Sequence, residues 1–273
     1  MPSASDVPSA TPRPTTPGSA SPETGEGRPR IVAMMRVRNE AGRYLSTCLE
    51  SLERVADRIV VLDDASTDGT PDVCRAHARV TYHRREQRLF DRDESALRRS
   101  LWDLTLAEQP DWILALDADE RFEPGAEALI RDLCRQDDYD VVSFRIFDLW
   151  GSEGRVRVDG AWNPWNRFSP LLVRRVPGLS PEWPAARIHC GRFPAAYVSR
   201  TYFSSHLRVL HYGWANAAEH DAKHSFYAAR DLATAGEVRP HTQSIQDAGA
   251  VTEPWVATTQ PAFMALGTAH AER

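Results

Sequence analysis

Residues 59–70 read Ile-Val-Val-Leu-Asp-Asp-Ala-Ser-Thr-Asp-Gly-Thr. The apolar, β-branched run Ile59–Leu62 is typical of a buried strand. The Asp, Ser and Gly residues that follow favour a turn and then the start of a helix, predicted from Pro71 to Ala78. This stretch therefore predicts a strand, a polar loop at the strand's carboxyl end, and a helix.

The same alternation of strands and helices extends on both sides of this unit. The other predicted strands are Ile31–Val37, Val80–Tyr82, Trp112–Leu116 and Val141–Phe147, and the predicted helices are Tyr44–Arg54, Asp93–Glu108, Ala126–Arg135 and, later in the chain, Glu219–Thr234. Short strands separated by helices of this length predict parallel β-α-β units with right-handed crossovers. The expected fold class is therefore α/β.

The predicted α/β region occupies the middle of a chain of 273 residues. Residues 1–29 hold seven of the 19 prolines and almost no large apolar residue, which is typical of a disordered tail. Residues 148–210 carry four Trp and no long helical pattern, and we expect them to cover one end of the sheet as loops and short strands. We expect one domain over residues 30–240, with halves 30–147 and 148–240, and a flexible segment over 241–273.

Composition excludes several classes of protein. The formal net charge of −5 argues against a dedicated nucleic-acid binder, which would show a basic face. No window approaches 18 consecutive apolar residues, so we expect no membrane span. The four cysteines form no Cys-x-x-Cys pair, and this favours a reduced compartment. We therefore expect a cytoplasmic protein, either free or at the inner face of the membrane, and its 32 Arg against one Lys suggest a GC-rich, bacterial genome.

A second acidic cluster follows the predicted strand Trp112–Leu116. Asp117 and Asp119 are two residues apart, so in an extended segment their side chains point to one side, roughly 6–7 Å apart. Two such carboxylates repel each other unless a cation lies beside them, and Mg²⁺ or Mn²⁺ prefers oxygen ligands. An isolated Asp-x-Asp is more often a solvated turn or a helix cap. The matching cluster at Asp63 and Asp64 favours a site here, because the carboxyl ends of parallel strands form the ligand crevice of open α/β sheets.

Three other segments supply candidate residues for this site. Asp68 is suited to cap the next helix, which leaves Asp63 or Asp64 to bind a base or a ribose. Arg38 and Glu40 follow the first predicted strand and would reach the same ligand, unless they only form a polar loop. The Arg-rich stretch His83–Arg99 offers Arg98 as a contact for a diphosphate, although a solvated helix face is the commoner explanation. His211 ends a short apolar run before Gly213 and is a candidate third metal ligand.

The order and spacing of three motifs resemble the family-2 glycosyltransferases with the GT-A fold. The motifs are Val37-Arg38-Asn39-Glu40, Asp63–Thr70 and Asp117-Ala118-Asp119-Glu120, and His211-Tyr212-Gly213 extends the likeness to about residue 230. The resemblance implies a mixed, mainly parallel GT-A sheet, a UDP- or GDP-sugar donor, a divalent metal and inversion at the anomeric carbon. It also implies that Asp64 binds the nucleobase beside Arg38, that Asp117 lies near the ribose or the metal, and that Asp119 and His211 ligate the metal.

The sequence indicates less about the acceptor side of the predicted site. The acceptor would be a hydroxyl of a glycan, a lipid-linked saccharide or a small molecule, and a base must remove its proton. Similar enzymes place an Asp or Glu between the Asp-x-Asp motif and the late His, often as a His-Glu pair, but this chain has Ile188-His189-Cys190 at that position. Glu182 is the candidate base, His189 is a possible substitute, and Asp148, Glu153 and Asp159 are weaker alternatives.

Other functions fit the sequence less well. A sugar nucleotidyltransferase needs a Gly-rich triphosphate loop after the first strand, and a Rossmann dehydrogenase needs a GxGxxG motif; the segment 36–43 has only Gly42. The missing carboxylate beside His189 leaves one alternative from a different class, a catalytically inactive module that binds or presents a nucleotide sugar. Donor binding without turnover would distinguish that module from an enzyme.

Overall fold

The structure is a computed structural model that describes residues 28–183 and 190–257. Its strands are β1 (Ile31–Val37), β2 (Arg58–Asp63), β3 (Val80–Arg84), β4 (Trp112–Ala115), β5 (Glu120–Phe122), β6 (Val141–Asp148), β7 (Arg155–Arg157), β8 (Ser169–Arg174), β9 (Tyr202–His211) and β10 (Thr252–Pro254). Its α-helices are α1 (Leu45–Val55), α2 (Thr70–Arg75), α3 (Glu94–Ala107), α4 (Glu127–Leu133), α5 (His220–Ala235) and α6 (Pro240–Gln243).

Within these residues the main sheet has eight strands in the order β3-β2-β1-β4-β8-β6-β9-β5. The four strands β3, β2, β1 and β4 are parallel neighbours. Strand β8 runs antiparallel to both β4 and β6, β9 runs parallel to β6, and β5 runs antiparallel to β9. The predicted fold class, a mixed and mainly parallel sheet flanked by helices, is confirmed.

Strand β1 shows why helices cover both faces of this sheet. Ile31, Ala33 and Met35 lie in the cluster that includes the buried side of α1, while Val32 and Met34 lie in the cluster that includes Leu97 and Leu101 of α3. Side chains alternate between the two faces of a strand, so a strand that is apolar throughout must be covered on both. The continuous apolar run of β1 therefore requires two helical layers.

The segment 148–210 differs from its prediction as loops and short strands that cover one end of the sheet. It contributes β8 to the interior of the sheet, between β4 and β6, and the ten-residue strand β9. The reason is apolar burial, since Leu171, Leu172 and Val173 are fully buried. Of the four Trp in this segment, Trp150, Trp162 and Trp183 are buried as packing residues, and only Trp165 is exposed.

Residues 241–257 are docked onto the domain, where the sequence predicted a flexible segment. Strand β10 pairs with β7, and the Arg157 guanidinium donates to the Ser244 carbonyl over 2.6 Å. Trp255 lies under the guanidinium of Arg208, 4.1 Å from ring centroid to Cζ. The predicted tail up to residue 27 and residues 258–273 lie outside the described residues.

The register of the sheet brings the polar motifs together. Val37 at the end of β1 is paired with Asp63 at the end of β2, and Met34 of β1 is paired with Ala115 of β4. The loops after these three parallel strands therefore leave the sheet at the same edge. Among the described helices none is long and apolar enough to cross a membrane.

The helix α1 offers a direct test of this packing. Leu49 is fully buried under the sheet, while Glu50, the next residue of the same helix, is exposed. We expect Leu49→Ala to lower the free energy of unfolding by about 2–5 kcal/mol, because it leaves a cavity in the core. Glu50→Ala should change it by less than about 0.5 kcal/mol. Urea denaturation of the two variants measures the difference, and equal stabilities would contradict the arrangement of α1.

Candidate functional site

A cleft of about 460 Å³ opens at the carboxyl edge of the parallel strands. The loop after β1, the end of β2, the loop after β4, the end of β9 and helix α5 all contribute to its lining. Among the lining residues are Arg36, Arg38, Glu40, Arg43, Asp64, Asp117, Asp119, His211, Gly213 and Lys223. The structure thus brings together six of the residues proposed from sequence: Arg38, Glu40, Asp64, Asp117, Asp119 and His211.

His211 lies between two carboxylates. Its Nε2 is 3.5 Å from Oδ2 of Asp119, and its Nδ1 is hydrogen-bonded to Oδ1 of the buried Asp148 over 2.6 Å. Burial alone would lower the pKa of His211, but Asp119 and Asp148 together raise it well above its usual value. In turn, His211 holds the pKa of Asp119 below its usual value against the opposing effect of burial. The arrangement fixes the imidazole with Nε2 directed toward Asp119.

Gly213 leaves the space in which His211 and Asp119 meet. A Cβ atom built on Gly213 would lie 2.4 Å from Nε2 of His211 and 2.9 Å from Oδ2 of Asp119. Real Cβ contacts essentially never reach such distances. A glycine is therefore required here by close approach, although its backbone lies in an ordinary conformation.

Asp117 has different surroundings from Asp119. Its Oδ2 is 3.2 Å from Arg192 Nη2, and its Oδ1 is 3.7 Å from both Arg36 Nε and Arg98 Nη2. These guanidiniums hold the pKa of Asp117 well below its usual range, although burial opposes ionisation. Oδ1 of Asp117 is buried without a hydrogen-bond partner among the described residues.

The two carboxylates therefore have separate partners, whereas an extended segment would point them to one side. The reason is local. The Glu120 amide donates to the Asp117 carbonyl over 3.1 Å, so residues 117–120 form a tight turn. Both carboxylates still line the cleft.

Glu40, Arg43 and Lys223 form a charged corner of the cleft. Burial raises the pKa of Glu40 to about 7, and Asp119 adds to this effect while Arg43 opposes it. Lys223 of α5 donates to the Gly213 carbonyl and lies 3.5 Å from Glu219, which also accepts from Arg43 over 2.9 Å. Helix α5 is thereby tied to the loop after β1, a role that the sequence pattern of that helix did not suggest.

The two aspartates at the end of β2 have separate tasks. Asp63 is fully buried, accepts from the Ser66 amide over 2.7 Å and from the Tyr82 hydroxyl over 2.5 Å, and does not line the described cleft. Asp64 does line it, and its two oxygens accept from the amides of Leu89 and Phe90 over 2.7 and 2.9 Å. Asp63 thus shapes the turn, and Asp64 anchors the loop after β3 at the edge of the cleft.

Arg38 also stabilises the turn after β2. Its Nη1 donates to the carbonyls of Asp64 and Ala65 over 2.8 and 2.7 Å. Ala65 has a φ of 60°, the left-handed region that a residue with a side chain seldom adopts. Two guanidinium hydrogen bonds thus help to hold a turn that its own sequence disfavours.

The structure does not bring the remaining candidates into this cleft. Arg98 is buried on α3, where desolvation lowers its pKa to about 10, and it lines a second cavity instead. Glu182 is exposed and lines none of the cavities described here, and His189 lies outside the described residues. Asp148 orients His211, and Asp159 accepts from Arg157 over 2.5 Å.

Asp119 and His211 are the residues of the cleft that could hold a metal ion. Among the described residues no group of three His, Cys, Asp or Glu side chains is close enough to hold an ion. Asp119 and His211 nonetheless offer one oxygen and one nitrogen donor on the open side of Gly213, and Asp148 binds the other imidazole nitrogen as metal-bound histidines require. The pair fits an ion such as Mg²⁺ or Mn²⁺ that takes its other ligands from water and substrate.

The close approach at Gly213 yields a testable expectation. We expect Gly213→Ala to displace the His211 ring and to destabilise the fold by about 1–3 kcal/mol, because the added methyl group overlaps Nε2. NMR of the His211 ring nitrogens and thermal denaturation measure the two effects. Gly154→Ala is the matched control, since a Cβ at Gly154 meets nothing within 4 Å. Unchanged His211 signals in Gly213→Ala would contradict the geometry.

Comparison with curated proteins identifies two kinds of relative. The chain is 28% identical over 217 residues to an uncharacterized protein of Mycobacterium tuberculosis, covering 74% of this chain and 51% of that protein. It is 31% identical over 172 residues to the lipopolysaccharide core biosynthesis glycosyltransferase LpsC of Rhizobium meliloti, covering 61% of this chain and 59% of LpsC. The chain thus spans about half the length of the mycobacterial relative.

Two solved structures that resemble this chain share little of its sequence. S. aureus TarS in complex with UDP-GlcNAc has a TM-score of 0.49 at 14% identity, covering 79% of this chain and 70% of that chain. The mannosyltransferase PcManGT from Pyrobaculum calidifontis, in complex with GDP-Man and Mn2+, has a TM-score of 0.44 at 14% identity, covering 81% and 70%.

A family match covers the part of the chain that holds the first three motifs. The family described as Glycosyl transferase family 2 matches residues 33–181, which is more than half of the chain. The matched segment contains the loops after β1, β2 and β4 that form the cleft. This protein belongs to glycosyl transferase family 2.

Proposed function

We propose that this protein transfers a sugar from a nucleotide-diphosphate sugar to an acceptor hydroxyl. The observation that carries the proposal is the convergence of Asp64, Asp119 and His211 on one cleft, in a chain of this family. The donor would be a UDP- or GDP-sugar. The acceptor would be a glycan, a lipid-linked saccharide or a small molecule, and the name of the Rhizobium relative supports a saccharide.

The nucleotide would lie along the edge formed by the loops after β1 and β2. Asp64 is positioned by the amides of Leu89 and Phe90, and carboxylate oxygens retain lone pairs for a nucleobase donor after two such bonds. Arg38 is bonded to the backbone of the Asp64 turn and would flank the base. The contacts that order this turn thus favour a preformed nucleotide pocket.

The diphosphate would lie deeper in the cleft, beside Asp119 and His211. These two residues would hold Mg²⁺ or Mn²⁺, with Asp117 alongside; when bound, the ion offsets the diphosphate charge and makes the nucleoside diphosphate a better leaving group. Arg43 and Lys223 line the same cleft and would add positive charge. Asp148 would keep His211 oriented with Nε2 toward the site.

The transfer itself is proposed as a direct displacement with inversion. The acceptor oxygen forms a bond to the anomeric carbon while the bond from that carbon to the diphosphate oxygen breaks. A base accepts the acceptor's proton as the bond forms. Each carboxylate that lines the described cleft already has a polar partner: Arg43 for Glu40, two amides for Asp64, guanidiniums for Asp117 and His211 for Asp119.

A second function is favoured by that same observation. With no cleft carboxylate left without a partner among the described residues, the protein could bind a nucleotide sugar without transferring it. Donor binding without hydrolysis or transfer, across several UDP- and GDP-sugars in the presence of Mn²⁺, would identify such a binding module. Turnover with any donor would exclude it.

Asp119 tests the proposed metal site. We expect Asp119→Asn to weaken Mn²⁺ binding in the presence of UDP or GDP by at least about tenfold, since loss of even an outer-shell partner costs that much. Asp103→Asn removes an exposed carboxylate from α3 and should leave the affinity unchanged. Isothermal titration of both variants measures the difference, and unchanged affinity in Asp119→Asn would remove this residue from the site.

The base is tested by two variants. Glu182 is exposed and outside the cleft, so we expect Glu182→Gln to retain transfer. His189→Gln removes the second base proposed from the sequence, and loss of transfer with nucleotide binding retained would assign the base to His189. Initial transfer rates and donor affinities measure both effects. Loss of transfer in Glu182→Gln would assign the base to Glu182 instead.

A further inference from the structure

A second cavity of about 240 Å³ adjoins the cleft. It shares Arg36, Phe90, Asp117 and Tyr227 with the cleft, so the two spaces lie side by side. Its other lining residues come from α3, from the loop before β9 and from α5. This cavity therefore adjoins the cleft at Asp117.

Guanidinium groups dominate the lining of this second cavity. Arg36, Arg98, Arg192 and Arg230 line it, against the carboxylates of Glu94 and Asp117. Two of the guanidiniums are well paired: Arg192 donates to both oxygens of Glu120 over 2.6 Å, and Arg98 Nε donates to Glu94 over 3.3 Å.

Arg230 is paired outside the lining, with Asp91. Its guanidinium also lies 3.5 Å from the ring centroid of Phe226. The charge of Arg230 is thus offset by a carboxylate that does not line the cavity.

Arg36 differs from the other three guanidiniums. Its nearest carboxylate oxygens lie 3.7 Å away on Asp117 and 3.9 Å away on Glu94, which is too far for a hydrogen bond. Its Nε is buried without a hydrogen-bond partner among the described residues. The group lies over the ring of Phe90, with Cζ 4.3 Å from the ring centroid. Arg36 is thus a positioned donor group at the junction of the two cavities, with hydrogen-bonding capacity left over.

A buried donor without a partner costs free energy, and this cost is recovered when a ligand supplies the acceptor. A planar guanidinium matches the two oxygens of a carboxylate or a phosphate. Neighbouring Arg98 and Arg192 are already held by Glu94 and Glu120, so among the described lining guanidiniums it is Arg36 that keeps a donor for an anion.

We propose that the second cavity binds an anionic substituent, a carboxylate or a phosphate, of the sugar that enters the cleft. The proposal rests on the proposed function, because it assumes that a nucleotide sugar occupies the cleft. It names the substrate class more narrowly, as an acidic or phosphorylated sugar. The anionic group could belong to the transferred sugar or to the acceptor, and Arg36 would bind it in either case.

Matched pairs of donors test the proposal on the full chain. The probes are UDP-glucose and UDP-glucuronate if UDP binds, or GDP-mannose and GDP-mannuronate if GDP binds. We expect the acidic member of the pair to bind the wild-type protein about tenfold more tightly or better, as a charge-assisted hydrogen bond allows. Arg36→Gln should abolish that preference, Arg36→Lys should restore part of it, and the affinity for the free nucleoside diphosphate should stay unchanged.

The acceptor arm uses free sugars. Glucuronate and glucose 6-phosphate, titrated in the presence of saturating nucleoside diphosphate, should bind more tightly than glucose if the anionic group belongs to the acceptor. Arg36→Gln should again remove the difference. A preference for the anionic compound among the nucleotide sugars alone places the anionic group on the transferred sugar. A preference among the free sugars alone places it on the acceptor.

Controls separate a local effect from misfolding. Arg99→Gln removes an exposed guanidinium from the same helix as Arg98, lines neither cavity, and should behave as wild type. If Arg36→Gln does not fold, Arg230→Gln replaces it, since Arg230 approaches the cavity from α5.

Two results would overturn the proposal. One is equal affinity for acidic and neutral sugars in both arms. The other is a loss of affinity for the free nucleoside diphosphate in Arg36→Gln, which would assign Arg36 to the diphosphate. Failure of the wild-type protein to bind any nucleoside diphosphate or nucleotide sugar would instead refute the proposed function.

Discussion

The pairing of β9 with β5 and β6 is the constraint on which the site depends. It sets His211 opposite Glu120 in one register and opposite Asp148 in the other. Because of these two registers, an imidazole from late in the chain reaches Oδ2 of Asp119 and at the same time the Asp148 carboxylate. Gly213, two residues further on, has no side chain and leaves room for this contact. The end of β9 and this glycine therefore define the proposed metal site.

The rest of the cleft is organised by charge compensation at the edge of the sheet. Asp117 lies beside three guanidiniums, Arg192 is held by Glu120, and Nε of Arg36 has no hydrogen-bond partner among the described residues. Buried charges are tolerated only when they are paired, and the weak pairing of Arg36 is the observation on which the proposed anion site rests. The two carboxylates of the Asp-x-Asp motif thus have different environments: Asp119 faces His211, and Asp117 faces arginines.

Helix α5 adds a third element to the site. It contributes Lys223, Tyr227 and Arg230 to the two cavities, and it is tied to the loop after β1 through Glu219 and Arg43. Few of its side chains are buried, with Asp231 the one fully buried residue of the helix. Apolar spacing in the sequence predicts such a helix but not its role. The contacts that tie α5 to the site are polar and join residues distant in the chain.

The amino-acid sequence by itself determined the α/β class, the five strands of the predicted units and the loops that meet at one sheet edge, because apolar runs and turn residues are local signals. It also proposed Asp64, Asp119 and His211 as site residues, because Asp64 and Asp119 come after strands and His211 ends one. Only the tertiary structure decided that β8 lies inside the sheet, that Asp63 faces the turn, that Asp117 and Asp119 diverge, and that Arg98 lines a separate cavity. These features depend on register and on pairing between distant residues, and no spacing within a single segment encodes them.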